Sequence, residues 1–294
     1  MTAGRGSDAL AVTVQRLCES SRTHYANPYE AIAQWPAALD PAQWFTSPEL
    51  VSLFGTPVWD GLDEAQRRRL SFWEAVNFYS LNIHGEKPLV EGLAQRLYRR
   101  GGGAVDPYLH HFLDEENKHM VYFGEFCTRY AGRIYPDRKL AFPREYADGE
   151  EELLFFAKVL IFEEIVDVYN VQMSLDTRLH PVARRINSLH HLDEARHLVF
   201  GRRLVPELFA RWAPSWSEDT LRGVRAYLAS YLRATWKEYY SPDVYRDAAV
   251  PGDPYELAEQ AFEHPACRRH RERVSQRCID YLIEHGLLQE APAL

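Results

Sequence analysis

Leu189-His190-His191-Leu192-Asp193-Glu194-Ala195-Arg196-His197-Leu198-Val199-Phe200 is the stretch on which the fold turns. Residues three, four and seven apart share one face of an α-helix. His190, Glu194 and His197 therefore lie together, with Val182, Ile186 and Leu189 running into the same region. Two imidazoles and a carboxylate converging beside an apolar stripe are metal-ligand chemistry. His191 points about 100° away from that face. The step from Glu194 to His197 is a Glu-x-x-His, and a second copy lies upstream at Glu116 and His119.

One Glu-x-x-His on an amphipathic helix reads as a solvated pair. Two copies, each on the apolar side of a long helix, match bundles that hold two carboxylate-bridged metals. Such bundles draw one further glutamate from each of two other helices. Around the upstream copy, Leu109, Phe112, Leu113, Met120 and Phe123 are spaced by threes and fours with Glu116 and His119, and Glu115 falls to a flank. A helix from Glu150 to Leu179 offers Glu163 and Glu164 among Phe155, Ile161, Phe162, Ile165 and Val166. A carboxylate there is costly unless it is paired or on a metal, and the residues alone leave both open. A helix starting at Asp63 offers Glu74, Glu86 and Glu91. Glu86 shares its face with Asn82, Ile83, Leu89, Val90 and Leu93 and is the buried candidate. Glu74 is weaker, and Glu91 faces away. His84 lies on a different face from Glu86, and His110 and His111 read as surface imidazoles.

The periodicity predicts one all-helical domain over residues 1–294, with no alternating strand pattern. Residues 1–60 comprise a tail (1–8), a peripheral helix (Ala9 to Ser20) and a loop-rich arm. The arm, with five prolines between Pro28 and Pro57, either wraps the core or reaches a partner subunit. Residues 61–205 hold four core helices. The first runs from an Asp63 N-cap to Arg100, kinks near Ile83 to Gly85 because of Pro88, and stops at Gly101, Gly102 and Gly103. The second takes Asp106 as N-cap and Pro107 as first residue, and ends at Gly132. A connector with Pro136 and Pro143 follows. The third is Glu150 to Leu179. The fourth runs from Pro181 to about Val205, where Pro206 and Pro214 break the chain. Residues 206–294 add a helix capped by Ser217 and ending at Tyr240, a turn-rich stretch to Pro254, and two more helices ending at Gly286.

Several classes are disfavoured. A net charge of -8 argues against non-specific nucleic-acid binding. No apolar run reaches the roughly 18 residues of a membrane span. Residues 1–8 have no apolar core of a secretory signal. Cys18, Cys127, Cys267 and Cys278 are scattered and read as reduced thiols of a cytoplasmic protein. No Gly-x-Gly-x-x-Gly follows a strand, so a nicotinamide or flavin domain is not expected.

Taken together, these residues resemble the ferritin-like di-iron N-oxygenases typified by p-aminobenzoate N-oxygenase. The likeness is good over residues 65–205 and weak at the termini. It implies a ferritin-like four-helix core bundle with additional helices and seven metal ligands: Glu86, Glu116, His119, Glu163, His190, Glu194 and His197. Asp176 to His190 matches without a gap, which selects Glu163 over Glu164. His190, four residues before Glu194, separates this family from most ferritin-like di-iron proteins, which use two histidines. Family members often carry Asp directly before the Glu of each motif, where it holds the free ring nitrogen of a ligand histidine. Asp193 fits. On the second helix Glu115 stands there instead, so Glu115 with its longer reach, or Asp114, would take the role.

The resemblance further implies two iron ions, although manganese or a mixed pair suits the same donors. It implies O₂, a small-molecule amine oxidised to hydroxylamine, nitroso and nitro products, an external reductase or ferredoxin, and a homodimer. Glu116 with Glu163 or Glu194 would bridge the metals as the catalytic carboxylates, with Glu86 and the three histidines terminal. The same scaffold also hosts C–H hydroxylation and other oxidations, and iron storage with ferroxidase activity, because fold does not fix chemistry. The chain length, the aromatic-rich segments and His190 count against storage.

Overall fold

The computed structural model describes residues 3–99, 103–137 and 144–294. These residues form helices α1 (Ala3–Thr23), α2 (Pro57–Gly61), α3 (Glu64–Arg96), α4 (Asp106–Phe126), α5 (Glu150–Leu175) and α6 (Pro181–Trp212). Helices α7 (Glu218–Glu238), α8 (Pro242–Asp247), α9 (Pro254–Glu263) and α10 (Pro265–Glu284) follow. No strand occurs among them, and one isolated bridge joins Trp44 to Leu179. The fold is all-α and ferritin-like, as expected. No described helix is long and apolar enough to cross a membrane.

Helices α3, α4, α5 and α6 form the central bundle, with α3 packed along α4 and α5 along α6. Their start signals are local. Asp63 accepts from the Gln66 backbone while the Gln66 side chain accepts from the Asp63 backbone, a reciprocal cap worth about 1 kcal/mol. Pro107 and Pro181 lie in the first turns of α4 and α6, where their missing N–H costs nothing. At the far end of α4 the chain widens into one π-turn over Cys127–Ala131 and stops at Gly132, in the left-handed region at φ 65°. Apolar side chains from Leu10 to Leu294 join in one contiguous core. Each fully buried Leu or Phe contributes about 1.5–3 kcal/mol to it.

The described part of the arm wraps this core. His180 N–H donates to Trp44 O at 2.8 Å, and the Phe45 ring stacks on His180 at 5.4 Å. Ser52 donates through its N–H and its hydroxyl to Glu74 Oε1, and Tyr245 meets the same hydroxyl at 2.8 Å. Thus Glu74 ties the arm and α8 to α3. Helix α1 lies across α4 and α6, α7 and α10 lie against α5, and α8 lies against α3.

Several boundaries differ from the sequence reading. Helix α1 already begins at Ala3, inside the expected tail. Helix α3 ends at Arg96 rather than Arg100, with Pro88 inside it as the sequence placed it. The expected terminators Gly101 and Gly102, and Pro143 of the connector, lie outside the described residues. The N-cap of α4 is Val105, and Asp106 is already helical. Helix α5 ends at Leu175 and α7 at Glu238, and a short helix, α8, occupies part of the turn-rich stretch.

The largest correction concerns Pro206, which does not break α6. An internal proline leaves the carbonyl four residues earlier without its helical donor. Here that carbonyl belongs to Arg202, and the Tyr281 hydroxyl of α10 donates to it at 2.5 Å. A tertiary contact supplies what the proline removes, and α6 continues to Trp212.

Candidate metal centre

The bundle brings all seven sequence-selected residues into two adjoining groups, each fully buried. One group is Glu86 from α3, His119 from α4 and His190 from α6. The other is Glu116 from α4, Glu163 from α5, and Glu194 and His197 from α6. Within each group, one donor atom from every residue lies within 4.8 Å of the others. His197 Nδ1 is 2.9 Å from Glu116 Oε1 and 3.4 Å from Glu194 Oε2. His190 Nε2 is 2.7 Å from Glu194 Oε1 and 3.8 Å from Glu86 Oε1. His119 Nδ1 faces Glu86, Glu116 and Glu194 at 3.6–3.7 Å. Two donors bound at about 2.1 Å to one ion and adjacent to each other stand about 3 Å apart, which is the spacing of the tightest of these pairs.

Apart from the His190 Nε2–Glu194 Oε1 contact, most of the donor atoms have no hydrogen-bond partner. Both oxygens of Glu86 and Glu163, Glu116 Oε1, Glu194 Oε2, and Nδ1 of His119 and His197 are buried and unsatisfied. Natural cores leave few such atoms, because each costs about 1–3 kcal/mol. Four carboxylates carry a formal charge of -4, which two divalent cations cancel. Oxygen and imidazole donors suit iron and manganese. The residues therefore fit a metal pair.

The electrostatics agree with a site made for cations. Burial, then Glu116, pushes the Glu86 carboxyl well above its ordinary range, and burial, then Glu194, does so for Glu163. Burial would also raise Glu194, but His197 and His190 outweigh it and hold it well below. Burial opposes the proton on His119, yet Asp193 and Glu116 bring it up to about 10. Burial and then His119 push His190 down. A bound cation would displace the proton from His119.

The outer nitrogens of the histidines are also held. His197 Nε2–H donates to Glu115 Oε2 at 2.9 Å, and His119 Nε2–H to Asp193 Oδ2 at 3.3 Å. The contacts cross between helices: α4 carries the carboxylate for the α6 histidine, and α6 the one for the α4 histidine. Glu115 is thus buried, and it makes the longer reach the sequence left open. Both acids have their own cations. Arg196 donates to Glu115 at 2.6 Å and to Asp193, while Lys118 Nζ lies 3.1 Å from Asp193 Oδ2. This outer set of two acids and two bases is neutral, so it adds no net charge to the inner set. His190 Nδ1 meets the Asn170 amide, with Oδ1 at 3.2 Å.

Sequence reasoning did not assign Asn170, Lys118 or Arg196. The signal for Asn170 was its place seven residues, two turns, after Glu163. Arg196 and Lys118 each stand one residue before a histidine of the site, where lone cations read as surface. The other candidates fall elsewhere. Glu164 pairs with Arg202, Glu74 belongs to the Ser52 network, and Glu91 is exposed. His191 meets Asp167 at 2.6 Å. His84 Nε2 reaches Tyr135 O at 2.6 Å, and His110 is exposed beside Tyr98.

A cavity of about 160 Å³ opens onto the inner set between α3 and α5. Glu86, Glu116, Glu163 and Glu194 form its floor, and Leu89, Val159, Phe162 and Val166 its walls. Lys158 and Tyr231 also line it. Glycine shapes the wall: Gly92 leaves the space that the Phe155 ring fills, and a Cβ there would collide with it.

Fold and site together define the class: an all-helical, ferritin-like bundle whose centre gathers carboxylate and imidazole donors able to hold metal. Comparison with known proteins then gives the family. The chain matches the family described as P-aminobenzoate N-oxygenase AurF over residues 8–286, and it belongs to that family. It is also 25% identical over 256 residues to proteins of Mycobacterium bovis and Mycobacterium tuberculosis, each described as an uncharacterized protein. The match covers 81% of this chain and 75% of each relative.

Proposed function

We propose that this chain is a non-haem di-iron oxygenase that uses O₂ and external electrons to oxidise the nitrogen of a small amine, an arylamine above all. The observation that carries the reading is the set of inward-facing, unsatisfied carboxylate and imidazole atoms, in a member of an N-oxygenase family. Glu86, His119 and His190 would hold one metal, and Glu163 and His197 the other. Glu116 and Glu194 reach toward both groups and would bridge them. Held by these residues, iron would supply the electrons that activate O₂.

The protein's own residues do the remaining work. Glu115, Asp193 and Asn170 fix the ring orientation and tautomer of the three histidines. Leu89, Val159, Phe162 and Val166 exclude water from the face where a substrate would meet the metals, and the cavity holds a ring-sized apolar body. An apolar cavity beside the donors favours an enzyme over an iron store, which handles hydrated ions. O₂, an amine and a separate reductase or ferredoxin are the partners this reading requires, with a homodimer as the assembly.

The test is turnover of the iron-loaded protein with a chemical reductant, O₂ and a panel of arylamines and matched non-amines. Hydroxylamine, nitroso or nitro products are expected. Oxidation at carbon with amines untouched would move the reaction to C–H hydroxylation.

A further inference from the structure

Helix α10 presents Arg269, Arg273 and Arg277 at four-residue steps, so all three lie exposed on one stripe about 12 Å long. Arg269 and Arg277 make no ion pair with a described carboxylate, and Arg273 donates to His270 Nδ1 at 3.1 Å. The nearby acids are mostly engaged elsewhere. Glu263 serves Arg233 and Arg268, Glu49 serves Arg178, and Asp280 accepts from Gln276 at 2.7 Å. Glu272 is the one acid on α10 between the three arginines. In a chain of net charge -8, this face is locally positive.

Arg269 and Arg273 stand at a cavity of about 320 Å³ whose aromatic lining includes Tyr169, Trp236 and Tyr239. Because Arg273 always donates, His270 Nδ1 accepts, and its Nε2–H donates to the Tyr169 hydroxyl oxygen at 3.1 Å. From Tyr169 the rings continue inward. Phe78 stacks on Tyr169 at 5.5 Å, and Tyr79 lies 5.9 Å from Phe78. Phe123 stacks on Tyr79 at 5.1 Å and meets the His190 ring at 4.9 Å. An unbroken column of ring contacts thus joins the arginine stripe to the candidate metal centre.

We propose that this stripe docks an acidic one-electron carrier protein, with the aromatic column as the path to the metals. The inference rests on the di-iron reading above. At each docking the carrier's reduced iron–sulfur cluster loses one electron and one ferric ion of the pair becomes ferrous. Two dockings reduce the pair. The stripe is wider than a small anion and matches the negative patch of a protein, and such charge complementarity steers encounter and weakens with salt. A small anion in the cavity is the competing occupant.

The probe is a plant-type [2Fe–2S] ferredoxin, titrated by NMR against the full-length protein at low and high ionic strength. The triple variant R269E/R273E/R277E is compared with a control triple on remote exposed arginines, R16E/R211E/R222E. Binding is expected in the parent and the control, weakened at least tenfold in the stripe variant and by added salt. Reduction of the iron centre by dithionite should be the same in all three. Equal binding by the stripe and control variants, or binding indifferent to salt, overturns the proposal. So does competition at the stripe by millimolar phosphate without any ferredoxin binding. Failure to load iron would sink the di-iron reading instead, while the NMR titration still reports on the surface.

Discussion

Neighbouring glutamates on α5 give the most decisive contrast, because Glu163 and Glu164 should respond in opposite directions to the same change. Glu163 is buried with both oxygens unsatisfied, its proton affinity raised first by burial and then by Glu194. In the metal-free protein it is a cost. Glu163→Leu removes that cost and fills the site with apolar volume, so the metal-free protein should gain about 1–3 kcal/mol. It also takes one of the four inner carboxylates and two donor oxygens, so metal content should fall from two ions per chain to one or none. Glu164 instead pairs with Arg202, whose side chain is 23% exposed and stacks on Tyr281. Glu164→Leu leaves a guanidinium that water partly reaches, and should cost about 1–3 kcal/mol, below the range for a fully buried pair. Metal content should not change. Urea unfolding of the chelator-treated proteins measures the first quantity, and elemental analysis after dialysis against a weak chelator the second. If Glu163→Leu retained two metals, or Glu164→Leu lost them, the ligand assignment on α5 would be wrong by one residue.

Three further outcomes follow from the same geometry. His190→Ala should keep the helical content and most of the metal while abolishing product formation, whereas His191→Ala should match the parent. Equal turnover in the two would remove His190 from the site. Glu115→Gln and Asp193→Asn should each weaken metal affinity about 10–100-fold, read by competition with a chromophoric chelator, with little change in circular dichroism. Glu74 lies away from the metals, and burial raises its carboxyl to about 7 against the opposing Ser52 hydrogen bonds. Its folded-state value lies above the unfolded one. Its contribution is therefore full below pH 4.5, lost as pH rises through about 7, and worth about 3 kcal/mol in total. Glu74→Gln should accordingly gain on the parent by up to that amount between pH 5 and pH 8 in urea denaturation, and a constant difference across that range would contradict the assignment.

The bundle was legible because its signals are local: two Glu-x-x-His steps, the Asp63 and Ser217 caps, and prolines opening α4 and α6. What escaped the sequence depends on partners far along the chain. Pro206 reads as a breaker until the Tyr281 hydroxyl, 75 residues later, accounts for the Arg202 carbonyl. Lys118 and Arg196 drew no notice in the sequence because their partners, Asp193 and Glu115, lie on the facing helix, where both cations are buried. Asn170 had the spacing but not the residue type that draws attention. Periodicity could not choose between Glu163 and Glu164, since adjacent positions sit about 100° apart on a helix buried almost all round. The Arg202 pair separates them in space.

The crossed contacts between α4 and α6 make the centre a gauge of helix position. Glu115 holds His197 while Asp193 holds His119, so each helix sets the ring of the other. Sliding either helix by one residue moves its groups about 1.5 Å along the axis and turns them about 100°, which breaks both contacts at once. Only one axial alignment of the two helices therefore aims both imidazoles inward. A substitution anywhere along the α4–α6 seam that shifts this alignment will first be seen as lost metal, well before it is seen as lost helix.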